Sequence, residues 1–464
     1  MRLFYSLLFS VSLMAAAPCD LIVSARYVVT MAGQAGSPQR RVLENGAVAI
    51  TGERIVSVGS RADIDRAWQA KRRIDRPNGV LIPGLVNTHT HAAMSLFRGV
   101  ADDLKLQDWL NNFIFPAEAK NVSADFVRWG TRLAALEMLL SGTTTFTDMY
   151  YFEDVVAEAA REAGIRGVLG ETVIGFPVAD AKTPADALKL CERFLDRFRG
   201  DSLVVPAIAP HALYTNSLDT LKASRALANR FGAPVLIHLS ETKKENDDNQ
   251  AQRHQSPTQT LESIGFFSGR TVAAHGVWLD SKDMDTLKLR GVGVAHCPSS
   301  NMKLASGAAP VVELLKRGIA VGLGPDGPAG SNNDFDLMEE ADLAAKLQKL
   351  VRNDPEALPA RQAFEMATIG GARALGLDKE IGSLENGKRA DLVMIDLDVP
   401  NAVPMYDVYS QLVYALKGGN VQDVVVNGRE VVRDRRCLTL DRQVVMAKAR
   451  EYGIRVAQSV QQKH

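Results

Sequence analysis

Two histidines one residue apart, His89-Thr90-His91, stand at the end of the apolar run Leu81 to Val86. Side chains at i and i+2 of a strand share a face, so both rings can reach one ion. Three further groups, His238, His275 and Asp326, each close a separate short apolar segment. Imidazole nitrogens with a carboxylate oxygen suit Zn2+, and a catalytic zinc site keeps one position open for water. This predicts a single metal centre whose ligands are dispersed over a barrel rim. Fe2+ or Mn2+ is compatible with the same donors.

Such a rim needs strands to carry it. Between Leu81 and Gly324, short apolar runs alternate with capped helical stretches, the pattern of a parallel sheet with crossover helices. Eight runs are predicted as strands: Leu81–His89, Thr143–Asp148, Arg166–Gly170, Leu203–Ala209, Pro234–Leu239, Thr271–His275, Val292–His296 and Ile319–Gly324. That number and order predict a (β/α)8 TIM barrel. Thr183-Pro184 and Ser217 open helices, and Gly200 and Gly232 close them. Outside the barrel, Asp20–Thr30, Gly46–Ile50, Arg54–Val58, Ala390–Leu397 and Val421–Val426 read as strands, with a hairpin turn at Asn427-Gly428. These segments predict a small β-sandwich formed from both termini. The expected division is a leader over residues 1–17, the sandwich over 18–80 and 384–440, the barrel over 81–383, and a C-terminal helix over 441–464.

The chain has 464 residues and equal numbers of basic and acidic side chains, 54 of each. No basic block offers the electrostatic footprint of a nucleic-acid surface. A small-molecule ligand is expected instead. Arg2, the apolar stretch Leu3 to Met14 and Ala15-Ala16-Ala17 read as a short export signal, too short to span a bilayer; an apolar extension on a cytoplasmic enzyme is the alternative. Cys19, Cys191, Cys297 and Cys437 have no paired spacing, so neither a disulfide framework nor a cysteine metal site is expected.

Pro83-Gly84-Leu85-Val86-Asn87-Thr88-His89-Thr90-His91 resembles the opening metal motif of the amidohydrolase superfamily. The resemblance continues in order through His238-Leu239-Ser240-Glu241, His275, the stretch Val294 to Asn301, Leu323-Gly324-Pro325-Asp326-Gly327, and Gly382 to Leu392. Its nearest branch is that of the 5-methylthioadenosine/S-adenosylhomocysteine deaminases and related chlorohydrolases. The resemblance implies a metal held by His89, His91, His238 and Asp326, one Zn2+ per subunit, in a homo-oligomer. It also implies hydrolytic deamination of a purine nucleoside, with a guanine-like base deaminase or a chlorotriazine-type hydrolase as alternatives. A non-catalytic scaffold would lack a ligand or the acid, and none is missing.

Glu241, three residues past His238, is placed to protonate the ring as general acid, although the neighbouring Lys243-Lys244-Glu245 run reads as solvated surface. By resemblance His275 hydrogen-bonds the attacking water, Asp326 takes its proton, and His211 and Glu118 contact substrate, Glu118 through ribose hydroxyls. Asp326 also reads as a turn cap and Glu118 as a helix-start acid. Trp109, Phe113 and Phe115 read equally as an aromatic lid or as core. The branch is expected to carry arginines between the third and fourth strands, where this chain has Glu171, so the group that binds the far end of the substrate is open. Arg166, Lys182 and Arg193 lie nearby without matching.

Overall fold

A computed structural model describes residues 16–33 and 42–461. The leader expected over residues 1–17 lies outside the described residues except for its last two, and Ala17 already pairs with Trp68. Strands Leu85–Thr90, Thr143–Tyr150, Arg166–Val173, Val204–Pro210, Val235–Leu239, Thr271–His275, Gly293–His296 and Val321–Leu323 close into a parallel barrel. Each overlaps a predicted run, and the first three are buried along their whole length. Strands covered on both faces by helices need continuous apolarity, which is why the runs were legible.

The first run is divided where the sequence suggested continuity. Leu81–Pro83 ends a long strand, Trp68–Pro83, of the other sheet, and the barrel begins at Leu85. Gly84 makes the turn between them, since a Cβ there would stand 2.0 Å from Thr144 Oγ1.

Both termini contribute to one eight-stranded sheet, in which Trp68–Pro83 lies parallel to Ala17–Val29 and antiparallel to Leu392–Asp396. The stretch Trp68–Gly79 escaped the pattern reading because it alternates charge with little apolar content. Its strand is laced instead by Arg61–Asp75, Arg73–Asp65 and Arg76–Asp423 pairs. Asn427 and Gly428 turn the hairpin between Val421–Val426 and Arg429–Arg433 with φ of 52° and 76°, the left-handed pair that a two-residue hairpin turn requires. Arg166, buried at the start of the third barrel strand, grips Asp391 at 3.2 Å and Ser202 O at 2.7 Å. It therefore ties barrel to sheet.

Helix caps follow the sequence signals: Thr183 Oγ1 accepts from Asp186 N, and Ser217 Oγ from Thr220 N. The last helix, Arg442–Gln461, packs across Ala124–Leu140, with the Tyr452 and Phe126 rings 5.5 Å apart. Phe126 is fully buried there, a burial worth about 1.5–3 kcal/mol. No helix of the described residues is long and apolar enough to cross a membrane.

Candidate metal centre and active site

The predicted donors converge at the carboxyl ends of the first, fifth, sixth and eighth strands. One donor atom from each of His89, His238, His275 and Asp326 lies within 4.8 Å of the others. His91 joins through Asp326 Oδ1, 3.3 Å from its Nε2, and the His91 and His238 ring centroids are 5.4 Å apart. Thus His275 completes the tightest quartet, with His91 on its border. Gly324 lets the last strand approach this closely, since a Cβ there would fall 2.7 Å from His89 O.

Each approach fixes a tautomer. His91 Nδ1–H donates to Met149 O at 2.6 Å, His238 Nδ1–H to His211 O at 2.8 Å, and His275 Nδ1–H to Asn301 Oδ1 at 3.0 Å. Each ring thereby turns its Nε2 toward the cluster, the arrangement that outer partners impose on metal-bound histidines. His89 Nε2 is 3.2 Å from Asp326 Oδ1 and satisfies no hydrogen bond among the described residues.

Burial alone would push the Asp326 carboxyl up, but the His89 and His91 rings beside it hold it well below the usual carboxylate range. Burial opposes charge on His91, yet Asp326, Met149 O and Asp148 push it up to about 9. Among the described residues no Lys or Arg lines the cleft to balance the carboxylate. A buried carboxylate ringed by imidazole nitrogens is the donor set of a divalent transition metal, whose binding displaces any proton held there. The residues present fit such an ion.

His275 and Asp326 both have left-handed backbones, φ 71° and 64°. Non-glycine residues held there cost on the order of 1–3 kcal/mol each and gather at functional sites. Hydrogen bonds hold the Asp326 turn: Thr90 Oγ1–H donates to Asp326 O at 2.8 Å, and Ser300 Oγ–H to Asp326 Oδ2 at 2.7 Å.

Glu241 is buried, its Oε2 3.9 Å from His275 Nε2. Burial raises its carboxyl above the ordinary value. Its backbone N–H donates to Glu245 Oε2 at 2.8 Å, which sets the loop. His211 lines the cleft, and burial holds it neutral, down to about 3.

The cleft, about 570 Å3 including space open to solvent, extends from this cluster to Glu118. Glu118 is buried, from the helix Phe115–Asn121, and burial pushes its carboxyl up to about 7. Tyr150 donates to its Oε1 at 2.7 Å and Tyr151 to its Oε2 at 3.3 Å. Trp109 and Phe115 line the cleft, while Phe113 is absent from its wall and packs against the core. Trp109 is anchored through Nε1–H to Ala329 O at 2.8 Å. Sequence reasoning gave no role to Tyr150, Tyr151 or Tyr214, which also line the cleft. The aromatic pair at the end of the second strand was the available signal.

Glu171, the acid at the position where arginines were expected, is absent from the cleft wall. Its Oε2 accepts from Glu153 N at 2.9 Å, while Glu153 Oε1 accepts from Tyr150 N and Asp180 Oδ2 from Phe152 N. Two buried carboxyls and the half-buried Asp180 thus clamp the segment that presents the tyrosines. Burial pushes Glu153 and Glu171 well up.

Residues 80–431 match the amidohydrolase family, and the chain belongs to that family. It is 44% identical over 440 residues to the 5-methylthioadenosine/S-adenosylhomocysteine deaminase of Thermodesulfovibrio yellowstonii, covering 94% of this chain and 99% of that one. It is 43% identical to the 5'-deoxyadenosine deaminase of Methanosarcina barkeri, covering 93% of this chain and 97% of the other. An adenosine deaminase from Xanthomonas campestris, solved with bound zinc, superposes with a TM-score of 0.92 at 40% identity, over 96% of this chain and 100% of that one.

Proposed function

We propose that this enzyme deaminates purine nucleosides hydrolytically, with 5'-methylthioadenosine and S-adenosylhomocysteine as leading substrates. One observation carries the reading: a metal-type donor cluster and a buried general acid share a cleft with a carboxylate fit for a vicinal diol. A carboxylate offers about four acceptor positions. The tyrosines occupy one on each Glu118 oxygen, leaving one on each for the two ribose hydroxyls. The names of the relatives support the same substrate class.

His89, His91, His238 and Asp326 would hold one Zn2+. When bound, zinc supplies Lewis acidity that makes hydroxide available near neutral pH. Glu241, whose carboxyl burial raises above its ordinary value, gives its proton to the ring nitrogen beside the amine-bearing carbon. That nitrogen can then accept the electrons of the C=N bond as oxygen adds to the carbon. His275 hydrogen-bonds the incoming oxygen, its ring fixed by Asn301. Asp326 takes a proton from that oxygen and passes it to the amine, which leaves as ammonia. Of the two water protons, one returns Glu241 to its acid form, balancing the proton given to the ring nitrogen, and the other leaves with ammonia. Aromatic and aliphatic side chains, among them Trp109, Leu110, Ile114 and Phe115, line the cleft and offer the purine an apolar surface.

Ammonia release from a purine nucleoside panel, with metal quantified on the same preparation, tests this reading. Turnover of methylthioadenosine with one zinc per chain is expected. A zinc-loaded protein that deaminates no nucleoside overturns it. The reading includes a homo-oligomer and an exported enzyme, tested by sedimentation and by cell fractionation.

A further inference from the structure

Behind the cluster runs the short helix Pro298–Lys303, whose first turn touches two of the site's groups at once. Ser300 Oγ–H donates to Asp326 Oδ2 at 2.7 Å, the oxygen turned away from the histidines. The next residue, Asn301, receives His275 Nδ1–H on Oδ1 at 3.0 Å, while its Nδ2 has no partner among the described residues. Asn301 therefore acts on the ring through its oxygen alone. Both residues are fully buried, as is Glu340, which holds the turn from the next layer. Glu340 accepts from Ser299 N at 3.2 Å, from Ser299 Oγ, and from Asn332 Nδ2 at 3.2 Å.

We propose that Ser300 and Asn301 are separate positioning residues for the centre: Ser300 fixes the Asp326 carboxylate and with it metal retention, and Asn301 fixes the His275 ring and with it turnover. The division follows from what each touches. A metal carboxylate with one oxygen tied points the other at the ion, whereas a ring with its Nδ1 proton tied keeps the Nε2 lone pair facing the cleft. One turn, clamped by Glu340, thus sets affinity and rate through neighbouring side chains. The Asn301 half rests on the catalytic role proposed for His275; the Ser300 half does not depend on the substrate.

Two readouts separate the roles: zinc loss to a chelator, with no substrate present, and kcat at saturating zinc. Ser300→Ala should speed zinc loss 10–100-fold, the range typical of outer partners of metal ligands, and Ser300→Thr should recover most of it. Asn301→Ala should lower kcat at least tenfold with a smaller change in KM, and Asn301→Asp, which keeps the oxygen, should recover most of the rate. Thermal midpoints of the four variants report folding. Zinc retained by Ser300→Ala as in the wild type overturns the first half, and equal kcat in Asn301→Ala and Asn301→Asp overturns the second. If Ser300→Ala loses zinc while no variant or wild type deaminates a nucleoside, the proposed activity fails and the Ser300 role stands.

Discussion

The two walls of the cleft are built differently. The metal wall stands on barrel strands: His89, His238 and His275 lie within strands, His91 directly follows the first, and Asp326 closes the turn after the eighth. The opposite wall, around Glu118, comes from a helix in the excursion between the first two strands and from the last residue of the second strand with the loop that follows it. Strands hydrogen-bonded on both sides fix a side chain to within the tolerance that coordination demands. Loops let a family change its substrate without disturbing the chemistry. The difference teaches that reaction class resides in one wall and substrate identity in the other.

The sharpest way to break the comparison is to remove a strand-borne donor. Asp326→Ala should strip the metal and reduce turnover of every substrate by a factor of roughly 1,000 or more, as expected when an activated water is lost. Metal analysis beside activity checks it, and a variant that keeps its metal would show the donors to be interchangeable.

Glu241→Gln comes next. It removes the proton donor and leaves the donor cluster intact, so kcat should fall about 10^2 to 10^4-fold with full metal content. Loss of metal in this variant would place Glu241 among the ligands.

On the opposite wall, Glu118→Ala should cost nucleosides about 100-fold in kcat/KM, consistent with losing hydrogen bonds to a charged group. Metal content and turnover of a free base should stay close to those of the wild type. Equal losses for nucleoside and base would erase the distinction between the walls.

The same division explains what the sequence could tell. The barrel was legible because buried parallel strands must be apolar, and His89, His91, His238, His275 and Asp326 stood out as polar residues ending such runs. Their convergence is visible only in the fold. Tyr150, Tyr151 and Tyr214 were not legible as a wall because their partners are distant in sequence: Tyr150 reaches Glu118 across 32 positions. Nor was Glu171, whose type suggested a replaced substrate contact but whose carboxyl binds the loop from behind. Trp68–Gly79 was missed for another reason, since a strand held by arginine–carboxylate ladders carries no apolar period.

The smallest effect tests how the metal wall is anchored. Burial pushes the Glu340 carboxyl up to about 8, partly offset by hydrogen bonds from Ser299. In the unfolded chain the group titrates near its ordinary value of about 4.3. Between these values the folded state binds more protons, so unfolding stability falls as pH rises through that window and levels off above it. Glutamine at this position cannot ionise. Comparing thermal midpoints from pH 4 to 9, Glu340→Gln should show a flatter decline than the wild type, whatever its midpoint at the acid end. Parallel curves would mean that Glu340 is ionised throughout the range, the negative charge being balanced by the Ser299 donors. The turn behind Asp326 and His275 would then be held by a charged clamp, and the metal wall would rest on electrostatics as much as on the barrel.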